Sequence, residues 1–325
     1  MLCVKAVYRI LNKMKSKTVF AIDLGGTQIK MGLVRGAEII SSTLIDANAR
    51  NGLKERLPEI ENCFNKLLEI ASVSINEVAG IGMAIPGIID SIEKKILTIN
   101  DKYTDAPTID LTKWAKKTWD LPLYLENDSR AALLGEWKFG KGKGYDNVVL
   151  MNLGTGIGTS AVIEGKILRG KHFQAGILGG HFMVNVNGDR CNCGNYGCAE
   201  AEASTWNLQK IVSNHPGFSD SLLFKQPHLD FKTIFHFAAA GDPLARVICN
   251  ECMEIWSACA LNLIHAYDPE ILILGGGIMG SKEVILPYIQ DKINQNAWAV
   301  WGKVKVTEAS LINTAALLGV GSLVI

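Results

Sequence analysis

Three β-rich apolar runs in this chain end abruptly on glycines, and that pattern restricts the possible folds more than any other feature. Thr18-Val19-Phe20-Ala21-Ile22-Asp23 stops at Gly25-Gly26, the run closing at Leu153 stops at Gly154-Thr155-Gly156-Ile157-Gly158, and Pro269 to Leu274 stops at Gly275-Gly276-Gly277. A strand ending on glycine exposes backbone N–H groups with no side chain in the way, and such a nest suits phosphate oxygens. The second loop reads GxGxxG but runs into Ala161-Val162-Ile163, a strand, where a dinucleotide fingerprint requires a helix. No GxxxxGK[ST] occurs, which excludes a P-loop.

Between the glycine loops, strand and helix patterns alternate. Gln28 to Val34 and Ala37 to Ile45 extend the first run into a meander. Leu53, Leu57, Ile60, Phe64, Leu67 and Ala71 share one face of a helix predicted over 51–71. Val78 to Ile85 is a strand halted by Pro86-Gly87. Leu111 to Thr118, Ser129 to Trp137, Pro243 to Tyr267 and Glu283 to Asn294 are predicted helices. Pro122 to Leu125, Asn147 to Leu153, Pro269 to Leu274 and Lys303 to Thr307 are strands, and a helix closes the chain. The alternation places the chain in the α/β class. Val19 to Thr27 also resembles Val148 to Gly156: an apolar strand, a polar residue, then a glycine turn into another β-rich run. Two copies of one unit suggest two related lobes.

A chain of 325 residues accommodates two domains, and 33 Lys and Arg against 32 Asp and Glu leave no charge excess to hold a nucleic acid. No continuous stretch of about 20 apolar residues occurs, so no membrane span is expected. Lys5, Arg9, Lys13 and Lys15 break up the N-terminal apolar residues, so no export signal forms. Residues 1–17 read as an extension ahead of a second start at Met14, or as a basic amphipathic arm. A cytoplasmic, reduced protein is expected, and in that setting clustered cysteines point to metal.

One such cluster is present. His181, Cys191, Cys193 and Cys198 are spaced H-x9-C-x-C-x4-C, with Gly194 and Gly197 supplying sharp turns. Three thiolates and an imidazole make a closed tetrahedral zinc shell, which is structural because no position remains for water. The competing reading is three reduced cysteines in a loop. Cys249, Cys252 and Cys259 lie on a strongly helical run and read as core packing; Cys3 and Cys63 carry no pattern. Eleven of the 32 glycines fall between residues 151 and 200, so the glycine excess is local to the second loop and this cluster.

Two carboxylates stand at strand ends. Asp23, beside the first nest, can hold Mg²⁺ directly or through water. Asp128 follows Glu126-Asn127 where a strand breaks into a helix. A capping role is the ordinary expectation there, but α/β ligand sites gather at such edges, and an Asn127–Asp128 pair could bind a hydroxyl and take its proton.

These residues resemble the ROK family of sugar kinases, within the sugar kinase/Hsp70/actin superfamily. Four segments carry the resemblance: Asp23-Leu24-Gly25-Gly26-Thr27, Glu126-Asn127-Asp128, Leu153 to Gly158, and the His181/Cys191-x-Cys193-Gly194-x-x-Gly197-Cys198-x-Glu200 block. It implies a two-lobed actin-like (ribonuclease H-like) ATPase fold with an inter-lobe cleft. The small lobe would be 18–126, completed by 308–325, and the large lobe 127–307. It implies ATP phosphates held by Gly25, Gly26, Thr27, Gly154, Thr155 and Gly156, with Gly275, Gly276 and Gly277 near the adenosine. Asp128 would be the general base, Mg²⁺ would sit at Asp23, and Asn100, Asn127, His181 and Glu200 would contact sugar hydroxyls. A homodimer is also implied. One departure stands out: where the family has Glu-x-Gly-His, this chain has Leu178-Gly179-Gly180-His181. Losing that acceptor would weaken a glucose-type substrate by about 1.5–3 kcal/mol.

The resemblance implies ATP-dependent phosphorylation of a hexose or hexose derivative. A ROK-type sugar-responsive regulator is the alternative; it would need a DNA-binding domain ahead of the first strand, where this sequence has 17 residues. A non-catalytic sugar sensor is the other; it would lack the base, which Asp128 supplies.

Overall fold

The structure is a computed structural model that describes residues 17–99 and 102–325. They group into two compact units, one ending at Phe139 and taking in Asn313–Ile325, the other Gly140–Ile312.

The first unit is built on a sheet ordered β3-β2-β1-β4-β7. Its strands are β1 (Thr18–Leu24), β2 (Gln28–Arg35), β3 (Glu38–Asp46), β4 (Val78–Ile85) and β7 (Leu123–Asn127), with β5 (Ile88–Asp90) and β6 (Lys95–Thr98) paired separately. The first three form an antiparallel meander, while β4 and β7 run parallel to β1. Helices α1 (Leu57–Ala71), α2 (Leu111–Trp119) and α3 (Asp128–Phe139) complete it with a C-terminal helix, Ala315–Gly321. Val19 to Ile22 are fully buried because helices cover both faces of the central strand. On one face Phe20 stacks on Phe64 of α1 at 4.0 Å, with Trp119 of α2 edge-on. On the other, the C-terminal helix packs against α3 so closely that a side chain on Gly319 would fall into the backbone of Ala131.

Helix α1 begins at Leu57, later than the expected 51, because Pro58 fits the first turn but not a helix interior. The preceding segment is pinned instead by Asp105, whose carboxylate accepts from the Leu53 and Lys54 amides at 2.6 and 2.9 Å.

The second unit repeats the plan. Its sheet is ordered β10-β9-β8-β11-β12, with β8 (Val148–Leu153), β9 (Ile157–Ile163), β10 (Lys166–Ile167), β11 (Ile271–Gly275) and β12 (Lys305–Glu308). Strand β8 pairs antiparallel with β9 and parallel with β11, as β1 does with β2 and β4. The weak sequence repeat thus marks two sheets of one topology. Helices α4 (Ala199–Glu202), α5 (Thr205–Ser213), α6 (Phe231–Ala239), α7 (Pro243–Tyr267) and α8 (Lys282–Asn296) surround this sheet.

Among the described residues, α7 is the one helix long and apolar enough to cross a membrane. In this structure it is a core helix. Asp242 caps it by accepting from the Ala245 amide at 2.8 Å, and Cys249, Cys252, Trp256 and Cys259 are buried along it. Those cysteines are core, as expected.

The unit boundaries fall at 139/140 and 312/313, whereas the sequence suggested 126/127 and 307/308. Helix α3 stays with the first unit because it packs on the C-terminal helix through Gly135 and Gly319. Of the N-terminal segment expected as an extension, residues 1–16 lie outside the described residues, as does Asn100.

Candidate active site

In the first unit, the sheet brings the two strand-end carboxylates to one edge. Asp23 lies one residue from the end of β1, opposite Lys30 on β2, and Asp128 opens α3 directly after β7. Burial pushes Asp23 up to about 6, with the negative charge of Asp128 adding to the rise and Lys30 opposing it. Burial also raises Asp128, against hydrogen bonds from Ser129 and Asn127 and the positive charge of Lys102. Two carboxylates that influence each other are thus held above the ordinary carboxylate range, which is the condition of a base able to take a proton.

The expected cap at Asp128 lies one residue earlier. The Asn127 carbonyl oxygen Oδ1 accepts from the Arg130 amide at 3.1 Å, the bond of a helix cap. Asn127 Nδ2 donates to the Gly87 carbonyl and to Asp128 Oδ1, both at 3.0 Å. Asp128 Oδ1 also accepts from the Ser129 amide at 2.7 Å. Every hydrogen bond to this carboxylate from the described residues falls on Oδ1, leaving Oδ2 without one. Asn127, expected to contact sugar, is buried with its amide engaged inside the protein. Beneath it, Glu126 Oε1 accepts from the Asn127 amide at 3.0 Å and from Arg130 Nη1 at 3.4 Å, a fully buried ion pair that fixes the start of α3.

The first glycine turn exposes Gly26, Thr27 and Gln28. A residue that sequence reasoning missed holds it in place: Tyr103, fully buried, donates its hydroxyl to the Gly25 carbonyl at 2.9 Å. Burial and the Asp23 charge push that phenol up to about 12, so it stays a donor. Its neighbour Lys102, also missed, lies along Gly26, where a methyl group would collide with Lys102 Nζ and meet its Cε at 2.6 Å. The only signal for either was their position just after the loop that contains Asn100.

In the second unit, the glycine turn after β8 is bonded into its surroundings. The Gly154 amide donates to the Gly156 carbonyl at 3.0 Å, and the carbonyls of Gly154 and Thr155 receive the first amides of α5. The Ile157 amide donates to Glu200 Oε2 at 2.8 Å. Among the described residues, none accepts a hydrogen bond from the Thr155 or Gly156 amide. A side chain at residue 156 would meet the Glu200 carboxylate, which lies directly against Gly156. Glu200 therefore braces this turn, with Asn192 Nδ2 at 3.3 Å from its other oxygen. Of the third glycine set, Gly275 and Gly276 pack against Asn152 and Leu153 of β8, whereas Gly277 faces open space.

The cysteine loop is folded into a metal-sized pocket of sulfur. His181, Cys191, Cys193 and Cys198 each offer one ligand atom, all within 4.8 Å of one another. Cys193 Sγ and Cys198 Sγ are 3.7 Å apart, and Cys191 Sγ is 3.5 Å from His181 Nδ1. Zinc bonds of about 2.3 Å to sulfur and 2.0–2.1 Å to nitrogen imply tetrahedral edges of about 3.8 and 3.5 Å. The four residues fit that ion. Gly194 and Gly197 take left-handed φ values of 93° and 61°, as the sharp turns require. Burial raises the Cys191 and Cys198 thiols above their usual range when no metal takes the proton's place. Leu178, at the position of the family's Glu, is 38% exposed, and its carbonyl receives the His181 amide at 3.0 Å.

Two sheets of one topology, each carrying a glycine turn between its first two strands, define the two-lobed α/β fold of actin-like ATPases. A sequence model of the ROK family matches residues 19–325. A glucokinase of Thermotoga maritima is 31% identical over 313 residues, covering 94% of this chain and 96% of its own. The crystal structure of a ROK family glucokinase from Streptomyces griseus with glucose and AMPPNP is 27% identical, with a TM-score of 0.76 and coverage of 94% and 98%. A xylose repressor of Bacillus subtilis is 29% identical over 248 residues, spanning 76% of this chain and 61% of the repressor. The chain belongs to the ROK family.

Proposed function

We propose that this ROK protein is an ATP-dependent kinase of a hexose or hexose derivative, with Asp128 as its general base. The observation that carries the assignment of the base is the Asp128 carboxylate itself: Oδ1 is tied by Asn127 and Ser129, Oδ2 accepts no hydrogen bond from the described residues, and burial raises its affinity for a proton. In the reaction the sugar hydroxyl oxygen bonds to the γ-phosphorus of ATP. The phosphorus–oxygen bond to the β-phosphate breaks with its electron pair leaving on ADP, and the hydroxyl proton passes to Asp128 Oδ2. Asn127 serves this step by orienting the base.

Asp23 is assigned to Mg²⁺, which when bound offsets the phosphate charge. The amides of Gly26, Thr27, Thr155 and Gly156 are the donors assigned to phosphate oxygens, and Gly277 is the glycine of its set open to the nucleotide. His181, Cys191, Cys193 and Cys198 are assigned to a structural zinc that sets the loop from which His181 and Glu200 serve the sugar. Leu178 in place of an acidic acceptor favours a sugar lacking, or not using, the hydroxyl that such an acceptor binds. The family's homodimer is carried over with this reading. So is the cytoplasm, which supplies ATP and keeps the thiols reduced.

A regulator reading rests on the xylose repressor relatives. The near-complete two-way coverage with the glucokinase, together with an intact base, favours the kinase. The test is release of ADP across a panel of sugars with Mg²⁺ and ATP. Turnover abolished by Asp128→Asn upholds the reading, and no turnover with any sugar supports a regulator or sensor.

A further inference from the structure

The sequence offers no reason why residue 26 should be glycine beyond its place in a turn, and the backbone offers none either. Gly26 is not among the glycines with left-handed φ. The nearest atoms a side chain there would meet all belong to Lys102: its Nζ, its Cε at 2.6 Å and its Cδ at 3.0 Å. The lysine occupies the space left by the missing side chain, so its ammonium rests directly on the phosphate-binding turn. Among the described residues, no carboxylate lies within ion-pair distance of it. The same ammonium is close enough to Asp128 for its charge to act on that carboxylate. Tyr103 fixes the adjoining backbone, with its hydroxyl on the Gly25 carbonyl and its amide on the Ala49 carbonyl at 2.7 Å. A flexible side chain is thereby anchored at its base and aimed along the turn.

We propose that Lys102 is a catalytic residue of the phosphoryl transfer, its ammonium contacting the γ-phosphoryl oxygens of ATP between the Gly25-Gly26 turn and Asp128. This rests on the kinase reading above. As the new bond to the sugar oxygen forms and the bond to the β-phosphate breaks, negative charge spreads over the transferring group. A fixed cation at that place stabilises the transition state more than the ground state. Asp23 would hold magnesium, which would supply positive charge to the phosphates, and Lys102 would add a second positive charge from the protein itself. The neutral methionine of similar length removes the charge and keeps the packing of the stem.

The decisive comparison is of wild type, Lys102→Met and Lys102→Arg, with the sugar that wild type turns over best. The expected result for Lys102→Met is a kcat lower by on the order of a hundredfold with little change in the sugar KM. Lys102→Arg should recover part of the loss. The acid limb of the kcat–pH profile should move to higher pH in Lys102→Met, because Asp128 loses a neighbouring positive charge. Lys102→Arg, which keeps the charge, should leave that limb in place. A Lys102→Met enzyme with wild-type kcat overturns the proposal. Should wild type turn over no sugar, the kinase reading fails on its own. Equilibrium binding then decides for Lys102: loss of the preference for ATP over ADP in Lys102→Met upholds the contact, and an unchanged preference overturns it.

Discussion

Asp23 carries the clearest residue-scale signature of a site built at the expense of stability. Its carboxyl is raised from 3.8 to about 6, so the folded state binds the proton more tightly than the unfolded state does. The consequence has a definite sign: the ionised carboxylate destabilises the fold fully above about pH 6, progressively less down to 3.8, and not at all below that. A shift of about two units corresponds to about 3 kcal/mol as an upper bound. Asp23→Asn should therefore raise the melting temperature at pH 7.5 in the absence of Mg²⁺, with the gain fading by pH 4. Thermal melts across that range check it, and a pH-independent gain would contradict the burial argument.

Leu178 makes a second prediction at the same scale. It is exposed rather than packed in the core, so replacing it should perturb recognition more than stability. Leu178→Glu should raise kcat/KM for glucose relative to the wild-type sugar profile, by about tenfold if it restores one charged hydrogen bond. A sugar panel run on both proteins measures this, and an unchanged profile would place the acceptor elsewhere.

At the scale of elements, the zinc assignment makes the cysteine loop the part whose structure would depend most on a bound ion. Short backbone bonds such as Cys191 amide to Asn195 carbonyl at 2.7 Å set the turns, but only three small buried residues, Cys191, Cys198 and Ala201, form a core of its own. Cys193→Ser removes the most exposed ligand. It should abolish stoichiometric zinc and lower the melting temperature, both measurable by metal analysis and thermal melts, with sugar affinity falling because His181 and Glu200 ride on this loop. Wild-type protein that binds no zinc would contradict the assignment.

The same loop shows why some of this molecule is legible in the sequence. Its ligands lie within eighteen residues, as do Glu126, Asn127 and Asp128 within three, so local spacing reveals them. Strand β4 and helix α7 have the expected ends because Pro86-Gly87 halts one and Asp242, Pro243 and Asp268 bracket the other. Helices α5 and α6 are not legible in this way. They lie in a stretch where short helices and turns alternate without a sustained apolar period. Tyr103 and Lys102 are invisible for another reason: the turn they serve lies 78 residues earlier in the chain, and only the folded sheet brings them to it. The cap at Asn127 was misplaced by one residue because Asn and Asp are equally good caps, and only the bond to the Arg130 amide separates them.

At the scale of the whole molecule, one supersecondary plan has been used twice and given different tasks. β1 ends beside a carboxylate, Asp23, and β8 ends beside the neutral Asn152 at the corresponding place. The charge that would hold a divalent cation is therefore present in the first copy alone. The second copy spends its turn on a brace to Glu200 and on α5, and carries the cysteine loop in an insertion after β10. A phosphate-binding hairpin in each unit, a base in one and a sugar-facing loop in the other, is the division of labour proposed here. Its central claim is that Asp128 takes the proton of a sugar hydroxyl. The most direct measurement is ADP release from Mg²⁺–ATP with a sugar panel, comparing wild type with Asp128→Asn, a substitution that keeps the hydrogen-bonding shape of the side chain and removes the base. The account predicts sugar-dependent turnover in wild type that falls by at least about a thousandfold in Asp128→Asn. Turnover by the Asn variant at the wild-type rate would contradict it.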